Sequence, residues 1–170
     1  MISNKQKKDK EEIVFTLYPN SIGFGYAVMS GALVVLNAQM VQVRPISNAL
    51  AMKRIREVIS YYEPNIIVVE DYEGIGSRKS KRIRNIIDSI TRFGIKKHLK
   101  ISKYSRSDIR YVFSSFNAHT KHEIASVIAE NVKNMEHKLM KPRKTSESEK
   151  YMAGCFDAVS LGVTHFYMSD

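Results

Sequence analysis

The chain is short of several things that would narrow its class. It has one cysteine in 170 residues, Cys155, so no internal disulfide can form and a reducing compartment fits. No apolar run approaches the roughly 20 residues needed to span a bilayer. The opening segment, residues 1–12, is charged and lacks an apolar core, which excludes a secretory signal there. It reads as a tail ahead of a single domain covering 13–170. No internal repeat is present. Acids are also scarce, with 17 Asp and Glu against 27 Lys and Arg, leaving a formal charge of +10. Such a surplus on a small domain favours a polyanionic partner, nucleic acid first and an anionic membrane surface second. Hydrophobic residues make up 44%, enough for a sizeable core and against a mainly disordered chain. The expectation is a soluble protein of the cytoplasm.

What is there is organised around Ile66-Ile67-Val68-Val69-Glu70-Asp71-Tyr72-Glu73. A short continuous apolar run after the breakers Glu63-Pro64-Asn65 predicts a strand buried on both faces. It ends abruptly in carboxylates, where α/β folds place their sites. Carboxylate oxygens there suit Mg²⁺ or Mn²⁺, and an ordinary acidic loop is the alternative.

Before that strand, Ile13–Leu17, Ile22–Met29 and Ala32–Val43 read as an antiparallel meander. Its turns are Tyr18-Pro19-Asn20-Ser21 and Ser30-Gly31, and an interruption is expected near Asn37. A helix follows from Ala49 to Tyr62, with Asn48 as N-cap and Leu50, Ile55, Val58, Ile59 and Tyr62 facing the sheet. The pattern after Gly76 predicts a helix over 78–99, with Ile83, Ile86, Ile87, Ile90 and Phe93 on one side. That side serves either a core or an interface. Arg78, Lys79, Lys81, Arg82 and Arg84 supply five cations without an intervening acid. Either a phosphate backbone or solvent meets them. A strand at Leu99–Tyr104 and helices over 108–116, 121–135 and 148–167 complete the chain, with 138–150 as a mobile loop. Strands and helices in this order predict an α/β fold: three antiparallel strands, then parallel ones, flanked by helices.

Asp157 lies inside the last helix among Ala153, Gly154, Ala158 and Ser160, small residues that let a helix lie close to a sheet. An acid so placed is paired with a cation or bound to a metal.

The order of these motifs resembles the RuvC-type Holliday junction resolvases of the ribonuclease H-like superfamily. Ile66-Ile67-Val68-Val69-Glu70 resembles the strand delivering the family's second catalytic acid. Phe156-Asp157-Ala158-Val159-Ser160-Leu161 resembles the helix carrying its last acid, and Ala118-His119-Thr120-Lys121-His122-Glu123-Ile124 resembles its Ala-Asp-Lys-Glu-Gln-Val segment. The resemblance spans about 13–167. It implies a ribonuclease H-like mixed sheet and a Mg²⁺- or Mn²⁺-dependent endodeoxyribonuclease acting on branched DNA in recombination and repair. Glu70, Asp157 and Lys121 would be catalytic. Glu70, Asp157 and, as substitutes, Asp71 or Glu73 would hold metal, and Arg78, Lys79, Lys81, Arg82, Arg84 and Lys121 would contact nucleic acid. Family members act as homodimers, so a homodimer is implied as well.

Two positions depart from the family. Its first strand ends in Gly-Ile-Asp-Pro-Gly, whose Asp binds both metals, and here Thr16-Leu17-Tyr18-Pro19-Asn20 puts Tyr18 there. The following Gly25-Tyr26-Ala27-Val28 matches, which supports the alignment. One turn before Asp157, where the family carries a further Asp or His, stands Gly154. A phenol with a pKa of about 10 supplies no carboxylate charge at neutral pH. The expectation is a resolvase-like nucleic-acid-binding protein with impaired hydrolysis. A catalytically inactive DNA- or RNA-binding module and a scaffold on the same fold are the alternatives. Lys150 is a candidate replacement cation.

Overall fold

A computed structural model describes residues 11–139 and 152–169 of the protein. The charged tail and the 138–150 loop, with Lys150, therefore lie wholly or mostly outside the described residues. Five strands form one sheet: β1 Val14–Pro19, β2 Gly23–Gly31, β3 Val34–Gln42, β4 Ile66–Glu70 and β5 Lys100–Tyr104, in the order β3-β2-β1-β4-β5. β1, β2 and β3 are mutually antiparallel, while β4 runs parallel to both β1 and β5. The helices are α1 Asn48–Tyr62, α2 Lys81–Lys96, α3 Arg106–Ser114, α4 Lys121–Asn131 and α5 Ala153–Met168. The mixed sheet expected from the sequence is the sheet observed.

Alternation along the strands divides the core in two. Phe15, Leu17, Ile67 and Val69 face α1 and α2, where Ile55, Ile59, Ile83, Ile86, Ile87 and Ile90 cover them. Val14, Tyr18, Ile66 and Val68 face α3, α4 and α5. Every residue of β1 and β4 is buried, as their unbroken apolar runs require. Burying each aliphatic side chain of this kind is worth roughly 1.5–3 kcal/mol. Ile83, Ile86, Ile87 and Ile90 of α2 are thus core and not available to an interface, while Ile95 on the same helix is exposed.

Local chemistry moved several boundaries. Ser47, not Asn48, caps α1, accepting from Leu50 N at 3.1 Å. That start buries Ala51, Met52, Ile55 and Ile59 and leaves Leu50 exposed at the flank. Ser80 caps α2, so Arg78 and Lys79 precede that helix and belong to the loop leaving β4. β1 runs two residues past the expected Leu17, because Tyr18 and Pro19 still pair with Gly25 and Phe24. The irregularity in β3 skips Leu36, next to the expected Asn37. α4 ends at Asn131, because Val132 is already extended (φ −108°, ψ 118°), and the helix does not reach Met135.

Candidate functional site

β1 and β4 deliver two side chains to one spot. Their parallel register pairs Thr16 with Val68, and two residues further on in each strand come Tyr18 and Glu70. Both keep the parity that faces α5. Tyr18 is 5% exposed and Glu70 2%. The site lies at the carboxyl ends of parallel strands, beside the point where the sheet changes from antiparallel to parallel pairing.

α5 brings the third member, and small residues let it do so. A Cβ on Gly25 of β2 would lie 2.0 Å from the Gly154 carbonyl oxygen, so the two backbones touch. Two turns on, a Cβ on Gly162 would meet Met29 Sδ at 2.1 Å. The Thr16 hydroxyl donates to the Ala158 carbonyl at 2.7 Å, fixing the helix on β1. Asp157, buried in this face at 6% exposure, is thereby held over the sheet.

Two lysines meet these acids. Lys79, from the loop after β4, places Nζ 3.3 Å from Glu70 Oε2 and donates a 2.8 Å hydrogen bond to the Tyr18 hydroxyl. Its Nζ also stands 4.3 Å from the Tyr18 ring centroid, within cation–π range. The Lys79–Glu70 contact is Coulombic and not directional, because Glu70 Oε2 accepts no hydrogen bond. Lys121, first residue of α4 behind the Thr120 cap, donates to Asp157 Oδ2 at 3.5 Å. Its Nζ stands 5.6 Å from the same Tyr18 ring. Tyr18 is therefore the hub, with one lysine–carboxylate pair reaching it from β4 and another from α5. The Lys79 side chain is 18% exposed and that of Lys121 47%, so the second ammonium faces solvent more openly.

The remaining candidates fall into two groups. Asp71 is used by its own turn: its Oδ1 accepts from Glu73 N at 3.1 Å and its N donates to Tyr104 O at 2.8 Å. Glu73 is exposed in that turn. Arg82 is a brace, its guanidinium donating to Asn20 O at 2.8 Å and Asn48 Oδ1 at 3.2 Å. Arg78, Lys81 and Arg84 are exposed. Gly154 is a packing position, since a Cβ there would meet Asn20 Nδ2 at 2.6 Å and Met40 Sδ at 2.8 Å. Beside it, burial pushes the Cys155 thiol up to about 11, which keeps it protonated and a poor nucleophile.

The lysine pairing of Glu70 is not legible in the sequence, where Lys79 stands only as one cation of a run. On the far side of Asp157, the His165 ring Nδ1 lies 2.9 Å from the Tyr104 hydroxyl, and burial, then Lys100, lowers the His165 pKa.

The donor set does not suit the two divalent ions of a metal-dependent nuclease. Such a centre holds its ions about 3.5–4 Å apart on bridging carboxylates. Here the two buried carboxylates each face an ammonium group, and the neighbouring Tyr18 and Gly154 supply no carboxylate. Among the described residues, no three His, Cys, Asp or Glu side chains gather into a group that would hold a metal ion.

No protein-family model matches the sequence. No curated protein matches it either. Solved structures do resemble the fold. Thermus thermophilus RuvC superposes with a TM-score of 0.62 at 16% identity, covering 91% of this chain and 94% of that one. The T. thermophilus RuvC complex with a Holliday junction substrate gives 0.59 at 14% identity, with the same coverage. The yeast mitochondrial Holliday junction resolvase gives 0.61 at 14%, covering 92% of this chain and 78% of that one. Sheet order, helix placement and these superpositions agree. The chain has the ribonuclease H-like fold of the RuvC-type Holliday junction resolvases.

Proposed function

We propose that this protein binds branched or double-stranded DNA as a RuvC-like protein whose two-metal hydrolysis is impaired. The observation that carries this reading is the pairing of both buried acids with lysines around Tyr18. A carboxylate neutralised by an ammonium group has little charge left to collect Mg²⁺ or Mn²⁺. The binding half is supported by the +10 charge, by exposed Arg78, Lys81 and Arg84 near the site, and by a fold shared with a RuvC solved on a Holliday junction. Lys121, the more exposed of the two site lysines, is assigned the phosphate contact. Arg82 is left out of the contact surface because its guanidinium is spent inside the protein.

The reading includes a homodimer, which would offer two sites to a two-fold junction. It also places the protein in the cytoplasm. Among the described residues no helix is long and apolar enough to cross a membrane.

The test is fluorescence anisotropy on a labelled four-way junction and a duplex of equal length, at several salt concentrations. Mg²⁺ and Mn²⁺ titrations scored for cutting accompany it. Binding without cutting is expected. Joint Arg78→Glu, Lys81→Glu and Arg84→Glu should weaken binding and lower the log–log salt slope by about 0.9 for each phosphate no longer neutralised. Metal-dependent cutting that disappears in Glu70→Gln overturns the impairment. Absence of binding to either DNA overturns the nucleic-acid reading.

A further inference from the structure

Glu70 is a carboxylate taken out of water, and such a group needs a cation or several hydrogen-bond donors. Its Oε2 has no hydrogen bond, and the cation beside it is Lys79. Lys79 is itself anchored on the opposite side by the Tyr18 hydroxyl. An ammonium group thus stands between the Glu70 carboxylate that ends β4 and the Tyr18 hydroxyl near the end of β1. It contacts those oxygens at 3.3 and 2.8 Å. Mg²⁺ instead requires oxygen ligands at about 2.0–2.1 Å in near-octahedral array, and it does not share a position with a like charge.

We infer that Lys79 is a resident cation closing a latent divalent-cation site at Glu70. The wild-type chain takes up no Mg²⁺ or Mn²⁺ there, and removal of the ammonium group opens the site. The inference rests on reading this cluster as the counterpart of a nuclease metal centre. It does not require that DNA bind.

Mn²⁺ is the probe, with the free ion measured by electron paramagnetic resonance on the full chain after chelation and desalting. The wild type should bind no Mn²⁺ that Glu70→Gln removes. Lys79→Met should gain one site, at least tenfold tighter than any wild-type binding, and Lys79→Met with Glu70→Gln should lose it. Circular dichroism melts establish that each variant is folded, and Lys79→Gln replaces Lys79→Met should the latter not fold. Wild-type Mn²⁺ binding abolished by Glu70→Gln overturns the inference, even if neither Lys79 variant folds. A folded Lys79 variant with no new site overturns it too, as does a new site indifferent to Glu70. Junction binding by the wild type in EDTA, measured alongside, separates the two claims. Its absence sinks the nucleic-acid reading and leaves the Mn²⁺ outcome to decide this one.

Discussion

Replacing Lys79 by Met should destabilise the fold by far more than an ordinary surface lysine would. At 3.3 Å, the attraction between Lys79 and Glu70 is about 5 kcal/mol at an effective dielectric constant of about 20, before desolvation is subtracted. Met keeps most of the side-chain volume, so the loss is chiefly of charge. Glu70 then remains 2% exposed with no cation beside it, apart from any ion admitted from solution. Breaking a buried pair in this way costs about 3 kcal/mol, the lower end of the usual range, because the Lys79 side chain keeps 18% of its exposure. Glu70→Gln should cost about 1 kcal/mol, since Lys79 retains the Tyr18 hydroxyl and some water. Applied together, the two changes should cost about 2 kcal/mol, a coupling of about 2 kcal/mol between the positions. Urea unfolding in EDTA reads this directly. With an m-value of about 2 kcal/mol/M, the Lys79→Met midpoint should fall by about 1.5 M. Additive single effects, each below about 0.5 kcal/mol, would refute the reasoning. Glu70 would then be satisfied by something other than Lys79.

Gly25→Ala should cost about 3 kcal/mol or more, because its Cβ would lie 2.0 Å from backbone that cannot rotate away. A melting temperature lowered by roughly 10 °C is expected, and a shift under 2 °C would show that α5 is free to lift from β2. His165 sets a pH dependence. Its folded pKa lies below the ordinary 6.5, through burial and then the Lys100 charge, so the unfolded chain binds the proton more readily. Its neutral form therefore contributes stability that is full above about pH 6.5 and falls away on acidification toward the folded value. His165→Gln lacks this loss, so the gap in melting temperature between wild type and variant should narrow from pH 7.5 to 5.5. Curves that stay parallel would remove His165 as the source.

The sequence carried the sheet well and the site unevenly. Ile66–Val69 could be read as a doubly buried strand because β-branched and aliphatic residues without polar interruption leave no solvent face, and the sheet has β4 between β1 and β5. The small residues around Asp157 announced close packing, and Gly154 and Gly162 supply it. Periodicity reports which face of an element is buried, but not which loop cation folds back over a strand end. Lys79 was therefore indistinguishable from Arg78 or Lys81, although it alone of the three reaches Glu70. Arg82 misled for the related reason that an arginine bracing two carbonyl-type oxygens looks, in sequence, like one awaiting phosphate. Tyr18 was legible as a departure from a motif. Its role as the hub of two lysine pairs needed the register of β1 against β4.

The close approach of Gly25 and Gly154 also limits how the site can be altered. An acid introduced at 154 arrives against Asn20 and Met40, with the β2 backbone close behind. The change therefore has to be accompanied by others in the β1–β2 turn and in β3. An acid at position 18 would face the ammonium of Lys79 until that residue was replaced as well. Building a carboxylate-rich centre here is thus a concerted problem, because the space around 154 and the cation at 79 have to change together with the acids. Libraries that vary 18, 20, 40, 79 and 154 together sample the combinations that this packing leaves open.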